Sequence, residues 1–387
     1  MNFDITSEQA ALRQTAYEFA KKEIAPYVNQ YDAEERFPME IVKKAASLGF
    51  TGGVIPEKYG GADLDHLSFT MLIEEIARVC QVMGTILSLP SGLAGSGLLT
   101  YGTEEQKQKY LVPLARGECF AGTGVTEPHS GTDVAAMETT AVKKGDRYIL
   151  NGRKAWISML NEASWFLTFA TLDKALKSRG ICAFIVEKHW PGVSVKPEKN
   201  KVGFRPLSTG QLVLEEVEVP AENLVGREGE GFKVAMCAVE NGRLGVAARA
   251  VGLTQACLDE SVAYARQRIV FDQPIGRFQL VQSMITDMVV GVESARYLTY
   301  RLAYLKDQGQ ARARREASIA KMYASDVAMR AAEYAVQIHG AYGCSSEYNV
   351  GRYFRDAKFL QIVEGQNQLH RALIAEYALG YRQDRSG

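Results

Sequence analysis

Residues 138–150, ETTAVKKGDRYIL, form the stretch from which the fold class is most directly interpreted. Two short runs, residues 138–142 and 147–150, contain Thr, Val, Ile and Tyr, and Lys144, Gly145 and Asp146 separate them. Branched and aromatic residues favour strands, whereas Gly and Asp favour tight turns. The stretch therefore predicts two strands joined by a turn.

Similar runs lie on both sides of this stretch. Further candidate strands are residues 119–126, 165–172, 181–186 and 211–219, and Pro220 ends the pattern. Proline cannot donate a hydrogen bond to a strand ladder, so it is typical of a strand end. These strands are numerous enough for a small β-domain of the sandwich or barrel kind, which we place at residues 119–230.

Helical periodicity flanks this β-domain on both sides. Residues 6–9, TSEQ, form a capping-box start, and apolar residues follow at steps of three and four. Long helical patterns return from about Gly231, and long antiparallel helices favour a bundle. The predicted fold class is α+β, with an N-terminal α-helical domain at residues 1–118, the central β-domain, and a C-terminal four-helix bundle at residues 231–387.

The composition excludes several classes of function. Lys plus Arg and Asp plus Glu each number 45, so no net positive field would attract nucleic acid. The six cysteines form no C-x-x-C pair, and we predict no metal site and no disulfide framework. No leader-like segment or long uninterrupted apolar run is present. We expect a cytoplasmic protein without membrane insertion.

Two stretches of the β-domain are suited to binding a flat polar ligand. Residues 123–133, TGVTEPHSGTD, leave a strand into a turn rich in backbone and hydroxyl donors. In residues 154–158, KAWIS, an indole and a hydroxyl alternate with Ile157, which would face the other side of the strand. A purely structural turn and a Trp packed in the domain core remain alternatives for the two stretches.

A carboxylate near the C-terminus is a candidate base. In residues 361–368, QIVEGQNQ, Glu364 lies between an apolar run and a glycine. Partial burial would raise its pKa toward that of a useful base. The alternative is an exposed loop glutamate without a catalytic role.

The three stretches at residues 123–133, 154–158 and 361–368 occur in a chain whose elements are predicted as helices, then strands, then helices. Taken together, these features resemble the acyl-CoA dehydrogenase family over essentially the whole chain. The resemblance is strongest with the short- and medium-chain branch. It extends to shorter motifs, among them YGTEEQK at residues 101–107, VP at 219–220, GEGF at 229–232, QIHG at 337–340 and RDAK at 355–358.

The resemblance implies that FAD binds between the β-domain and the C-terminal helices. It places Val125 and Thr126 at the pyrimidine side of the flavin ring, and Trp156, Ile157 and Ser158 at the N5 side. Further positions match cofactor contacts of the family, some of them made across subunits: Arg268, Phe271, Gln279, Gln337, Gly340, Gln366 and Gln368. A homotetramer, the usual state of the family, is therefore expected.

The resemblance also implies the reaction and its residues. Glu364 matches the catalytic base, while Gly365, Arg243 and Thr132 match positions that contact the CoA thioester. One branch of the family carries its base at the position of Gly242, and a glycine cannot take a proton. We expect α,β-dehydrogenation of a short or medium acyl-CoA to the trans-2-enoyl thioester, with electrons passed to an electron-transferring flavoprotein.

Departures from the family pattern keep two alternatives open. Val363 replaces an aromatic residue, Gln366 a threonine, Cys344 a tyrosine, and Asp272 and Ala341 replace glycines. The first alternative is the same oxidation of an acyl group carried by an acyl carrier protein. The second is a flavin oxidase or monooxygenase on the same fold, although such relatives often lack the base.

Overall fold

The computed structural model of this chain describes residues 4–310 and 313–383. Along these residues the elements follow the predicted order of helices, strands and helices. The predicted α+β fold class, with a helical, a β and a second helical part, is confirmed. The outermost ends of the first and last predicted domains, residues 1–3 and 384–387, lie outside the described residues.

The first part of the chain is helical. Capping explains two of the helix starts, because Thr6 and Thr103 each form a capping box with the glutamine three residues later. The α-helices are α1 Ser7–Phe19, α2 Val28–Glu34, α3 Met39–Ser47, α4 His66–Val79, α5 Gln81–Gly92, α6 Ala94–Tyr101, α7 Glu104–Gln106 and α8 Val112–Ala115.

The middle part is an eight-stranded sheet. Its strands are β1 Ala121–Gly124, β2 Thr140–Lys144, β3 Arg147–Ser158, β4 Trp165–Thr171, β5 Ile181–Glu187, β6 Val193–Pro197, β7 Thr209–Pro220 and β8 Leu224–Val225. Their order is β6-β7-β3-β2-β4-β5-β8, and β1 pairs in parallel with β4. The turn at residues 144–147 joins β2 and β3 as an antiparallel pair. Strands β6 and β8 were not predicted, because β6 has only five residues and ends in Lys196 and Pro197, and β8 has only two residues.

Strand β4 explains why the sheet has a core on both faces. Its residues are buried from end to end. Trp165, Leu167 and Phe169 pack in one apolar cluster with the N-terminal helices, whereas Phe166 and Ala170 pack in a second cluster with β3 and β7. Successive side chains of a strand point to opposite faces. One strand therefore contributes to the interface with the helices and to the interior of the β-domain.

The last part returns to helices. Helix α9 Gly231–Gln267 is followed by a short hairpin of β9 Ile269–Val270 and β10 Gln273–Pro274. The remaining helices are α10 Gln279–Asp307, α11 Arg314–His339, α12 Val350–Ile362 and α13 Asn367–Ala378. Helix α9 packs against α10 and α11 and also against α4 and α5 of the first part. The helices around α9 therefore come from both ends of the chain.

One helical stretch of the described residues, Gln81–Tyr101, is long and apolar enough to cross a membrane. It comprises α5 and α6. Of its most apolar window, 83% is buried inside the fold. Such burial is typical of a core helix, whose apolar surface is covered by protein rather than by lipid.

Candidate active site

The segment between α12 and α13 presents Glu364. Helix α12 ends at Ile362, and α13 begins at Asn367. Glu364 has φ 57° and Gly365 has φ 95°, so two successive residues adopt a left-handed backbone. This conformation is unfavourable for a residue with a side chain and persists where the surrounding structure imposes it. The backbone therefore projects the Glu364 side chain in a defined direction.

The Glu364 carboxyl group lies against α9 at Gly242. A Cβ atom built on Gly242 would be 2.7 Å from the Glu364 Cδ and 2.7 Å from its Oε2. A Cβ atom does not approach other side-chain atoms so closely, so a side chain at position 242 would need the space of this carboxyl group. The two candidate positions for a base therefore share one location, which Glu364 occupies.

The Glu364 carboxyl group is also surrounded by cations. Burial raises the pKa of Glu364 to about 7, although the positive charges of Arg249, Arg243 and Lys321 act in the opposite direction. A carboxyl group with such a pKa is partly ionised near neutral pH and still basic enough to take a proton efficiently.

The two arginines belong to α9, where they are about 1.7 turns apart. Arg243 is 7% exposed, and its Nε donates to the Glu364 carbonyl oxygen at 3.3 Å. Arg249 donates to the Gly245 carbonyl oxygen and to the Thr85 hydroxyl, which ties α9 to α5. Burial lowers the pKa of Arg249 to about 10, so it stays charged at neutral pH.

Two further residues at this location were missed by the sequence interpretation. Lys321 of α11 has no exposed surface and donates to the Gly365 carbonyl oxygen at 2.7 Å. His370 of α13 is also fully buried, with its Nε2 3.1 Å from a Cβ built on Gly365, although scattered histidines such as this one are expected from the sequence to have surface or capping roles. A single sequence gives no sign of either, since a polar residue on a helix is usually exposed.

The two β-domain stretches meet at a bulge. The Ala155 amide donates to the Thr126 carbonyl oxygen at 2.8 Å, and the register between β3 and β7 shifts between Lys154 and Ile157. Within this shift Trp156 has φ 57° and is 59% exposed, whereas Ile157 is 2% exposed and packs in the β-domain core. The predicted opposite facing of Trp156 and Ile157 is confirmed, and Ile157 can contact a ligand only through its backbone.

These observations test whether the residues fit FAD. A large aromatic side chain that is exposed on a left-handed backbone costs free energy, and a flat ring lying against it would recover part of that cost. Val125, Thr126 and Ser158 are half-buried beside Trp156 and carry backbone and hydroxyl groups. The arrangement of an exposed indole and polar groups at a strand edge fits an isoalloxazine ring.

The other predicted cofactor residues lie on the surface. Arg268, Phe271, Gln279, Gln337 and Gly340 are all exposed, as are Gln366 and Gln368 at the start of α13. The Arg268 guanidinium lies 5.7 Å from the centre of the Tyr342 ring, which links the β9–β10 hairpin to the segment after α11. Phe271 is 85% exposed. These seven residues therefore present groups to a ligand or to a second subunit.

The predicted substrate residues are divided between two places. Arg243, Gly365 and Glu364 lie together, as described above. Thr132 is exposed in the turn after β1, and no contact in the described residues links it to Glu364. Within residues 4–310 and 313–383, no group of three or more His, Cys, Asp or Glu side chains could hold a metal ion.

The sequence of this chain matches models of the three domains of a known enzyme family. The models of the N-terminal, middle and C-terminal domains of acyl-CoA dehydrogenase match residues 6–118, 122–217 and 229–379. The short-chain specific acyl-CoA dehydrogenase of Clostridium acetobutylicum is 43% identical over 375 residues, which are 97% of this chain and 99% of that protein.

Two solved structures have nearly the same backbone. Butyryl-CoA dehydrogenase from Megasphaera elsdenii superposes with a TM-score of 0.94 at 40% identity, over 98% of this chain and 100% of that one. A chain solved in work on the electron transferring flavoprotein of Acidaminococcus fermentans has a TM-score of 0.95 at 43% identity, over 98% and 100% of the two chains. This chain belongs to the acyl-CoA dehydrogenase family, which uses FAD, and is an oxidoreductase that acts on the CH–CH bond of acyl-CoA.

Proposed function

We propose that this enzyme oxidises a short acyl-CoA to its trans-2-enoyl thioester with Glu364 as the catalytic base. The observation that carries the proposal is the half-buried Glu364 residue, whose carboxyl group lies against Gly242, whose carbonyl oxygen accepts from Arg243, and whose pKa is raised to about 7. The identity with short-chain specific and butyryl-CoA dehydrogenases supports a short acyl chain.

In this mechanism Glu364 removes a proton from the α-carbon of the thioester. One carboxylate oxygen takes the proton and becomes neutral, a change that burial favours. Val125, Thr126, Trp156 and Ser158 would hold FAD, which would supply the acceptor for the β-hydrogen and its electron pair, so that two electrons and two hydrogens leave the substrate. The buried Arg243 donates a hydrogen bond to the Glu364 carbonyl oxygen and so keeps the segment around Glu364 in place.

We propose that the cofactor is held by the predicted residues of the β-domain and by residues of a second subunit. Val125, Thr126 and Ser158 would bind the flavin through polar groups, and Trp156 would cover it. Self-association is supported by large apolar residues exposed on α10, namely Leu280, Val289, Val290 and Tyr304. The homotetramer would be tested by the mass of the protein in solution.

We further propose that an electron-transferring flavoprotein accepts the electrons and that the enzyme is cytoplasmic. The first point is supported by the relative solved in work on the electron transferring flavoprotein of Acidaminococcus fermentans. Both points would be tested in the native organism, by pulling down partners and by fractionating cells.

Anaerobic titration of the yellow holoenzyme tests the proposed function. Butyryl-CoA should bleach the flavin absorbance, and longer acyl-CoAs should do so less well. If only a butyryl group loaded on an acyl carrier protein bleaches the flavin, the carrier in the proposal is wrong. If the reduced enzyme consumes oxygen rapidly, the oxidase alternative replaces the dehydrogenase.

The raised pKa of Glu364 predicts a pH dependence. The base must be ionised to take a proton, so kcat/KM for butyryl-CoA should rise with pH and level off above about pH 7. Well below pH 7, kcat/KM should fall about tenfold for each pH unit. Initial rates between pH 5 and 9 with an artificial electron acceptor would measure this rise of kcat/KM with pH, which is the acid limb of the profile. A profile that is flat from pH 5.5 to 8 would contradict the assignment of the base.

A further inference from the structure

Lys321 of α11 contacts the segment that carries Glu364, residues 361–367, as Arg243 of α9 also does. Its ammonium group donates to the Gln361 carbonyl oxygen at 3.2 Å, to the Gly365 carbonyl oxygen at 2.7 Å and to the Asn367 Oδ1 at 2.9 Å. These acceptors precede and follow Glu364 in the chain. An ammonium group has three donors, and here all three are used on one short segment.

This segment needs such support because of its backbone. Helix α12 ends just before it and leaves carbonyl oxygens without intrahelical partners. Glu364 and Gly365 are both left-handed, and Gln366 makes no side-chain cap for α13. Lys321 satisfies oxygens at the end of α12 and within the left-handed turn. Without it, one buried and two partly buried acceptors would lose this donor, which costs free energy.

A second set of contacts from α11 extends this support. The Asn367 Nδ2 donates to the Ser325 hydroxyl at 2.9 Å and to the Asp326 Oδ1 at 2.7 Å. The Gln361 side chain donates to the same Asp326 oxygen at 2.8 Å. Helix α11 therefore fixes both ends of the segment that carries Glu364.

Lys321 also contributes charge. It is one of the cations that oppose the effect of burial on Glu364, together with Arg243 and Arg249 of α9. Burial lowers the pKa of Lys321 to about 7, so its charge is present at the acid pH values where Glu364 takes up its proton, and Asp326 faces it from its own helix. His370 faces it from α13, and because burial lowers the pKa of His370 to about 3, that ring stays neutral across the working pH range.

We propose that Lys321 is a positioning residue for the dehydrogenation, which holds the Glu364 backbone through Gly365 and Asn367 and keeps a positive charge beside the carboxylate. The proposal rests on the proposed role of Glu364. A lysine that merely joined α11 to α12 would stabilise the fold, but it would affect neither the ionisation of Glu364 nor the local order of residues 361–367.

Lys321→Met is the first test. Methionine has a similar length but neither donors nor charge, so the segment should loosen and kcat/KM for butyryl-CoA should fall by about 10- to 100-fold. Loss of a nearby positive charge raises the pKa of a carboxyl group, so the acid limb of the kcat/KM profile should move to higher pH. Hydrogen exchange of the peptide that contains residues 361–367 should become faster.

Two further variants distinguish the effect of the Lys321 hydrogen bonds from the effect of its positive charge. Lys321→Arg keeps the charge, so its acid limb should stay in place even where the larger group lowers kcat/KM. Asn367→Ala removes one acceptor and keeps Lys321, so exchange of residues 361–367 should increase without a shift of the limb. Lys201→Met is the matched control: this buried lysine donates to the Arg205 carbonyl oxygen, outside the Glu364 segment, and should leave the limb unchanged.

The outcome that would overturn the proposal is a Lys321→Met enzyme with lower stability but with the acid limb and the local exchange of the unaltered enzyme. If that variant does not fold, an Asn367→Ala enzyme without faster exchange in residues 361–367 would overturn it instead. Failure of the proposed function is recognised separately, because Glu364→Gln would then remain active whatever Lys321 does.

Discussion

Replacing Glu364 with glutamine should lower kcat/KM for butyryl-CoA by about 10²- to 10⁴-fold, the range that a positioned general base contributes. Glutamine has the same shape as glutamate, so it should fit the space beside Gly242 where the carboxyl group now lies. It cannot take up the α-proton. The visible spectrum should still show bound FAD, and stopped-flow mixing with butyryl-CoA should show almost no bleaching.

The geometry supplies a rescue experiment for this variant. A side chain at position 242 enters the space of the Glu364 carboxyl group, and a glycine tolerates the left-handed backbone of position 364. The double variant Gly242→Glu with Glu364→Gly should therefore regain part of the activity. A Glu364→Gln enzyme that turns over within threefold of the unaltered enzyme would refute the assignment of the base.

The second large effect is expected at the buried ion pair of Lys154 and Glu127. Lys154 has no exposed surface, and its ammonium group lies 2.7 Å from the Glu127 carboxylate, which is 3% exposed. Burial lowers the pKa of Lys154 to about 8, so the group remains largely charged at neutral pH. Despite its burial, the pKa of Glu127 stays below its usual value because of the Lys154 charge and backbone donors.

This pair connects the two predicted flavin stretches. Glu127 follows Thr126 and also accepts from the backbone amides of Glu138 and Thr139, at 2.5 and 2.9 Å. Lys154 precedes Trp156 on β3. Removing one partner of a buried pair leaves an uncompensated charge and typically costs about 3–5 kcal/mol. The Lys154→Met enzyme should therefore melt at a markedly lower temperature and be purified with little FAD.

A double variant provides the control for this experiment. Lys154→Met with Glu127→Gln leaves no buried charge, so it should recover a good part of the lost melting temperature. Calorimetry and the ratio of flavin to protein absorbance would measure both effects. A Lys154→Met enzyme with unchanged melting temperature and full FAD content would show that the pair does not hold these stretches together.

Short sequence patterns were sufficient to predict the order of helices and strands along the chain. The strand composition and turns of residues 138–150 predicted the β2–β3 pair, and the capping residues at Thr6 predicted the start of α1. Alternation along β3 predicted the opposite facing of Trp156 and Ile157. These features depend on neighbours a few residues apart, which a sequence displays directly. The resemblance to the family added the cofactor, the reaction and the choice of Glu364 as its base.

The sequence by itself therefore determined the fold class, the family and the residue proposed as base, whereas the environment of that base was decided only by the tertiary structure. Lys321, Arg249 and His370 come from three helices and are distant in sequence from one another. Their burial around Glu364 depends on how α9, α11 and α13 pack, and helical periodicity describes only which residues share a face. The raised pKa of Glu364 is a product of that packing, because burial and neighbouring charge arise only when the helices meet.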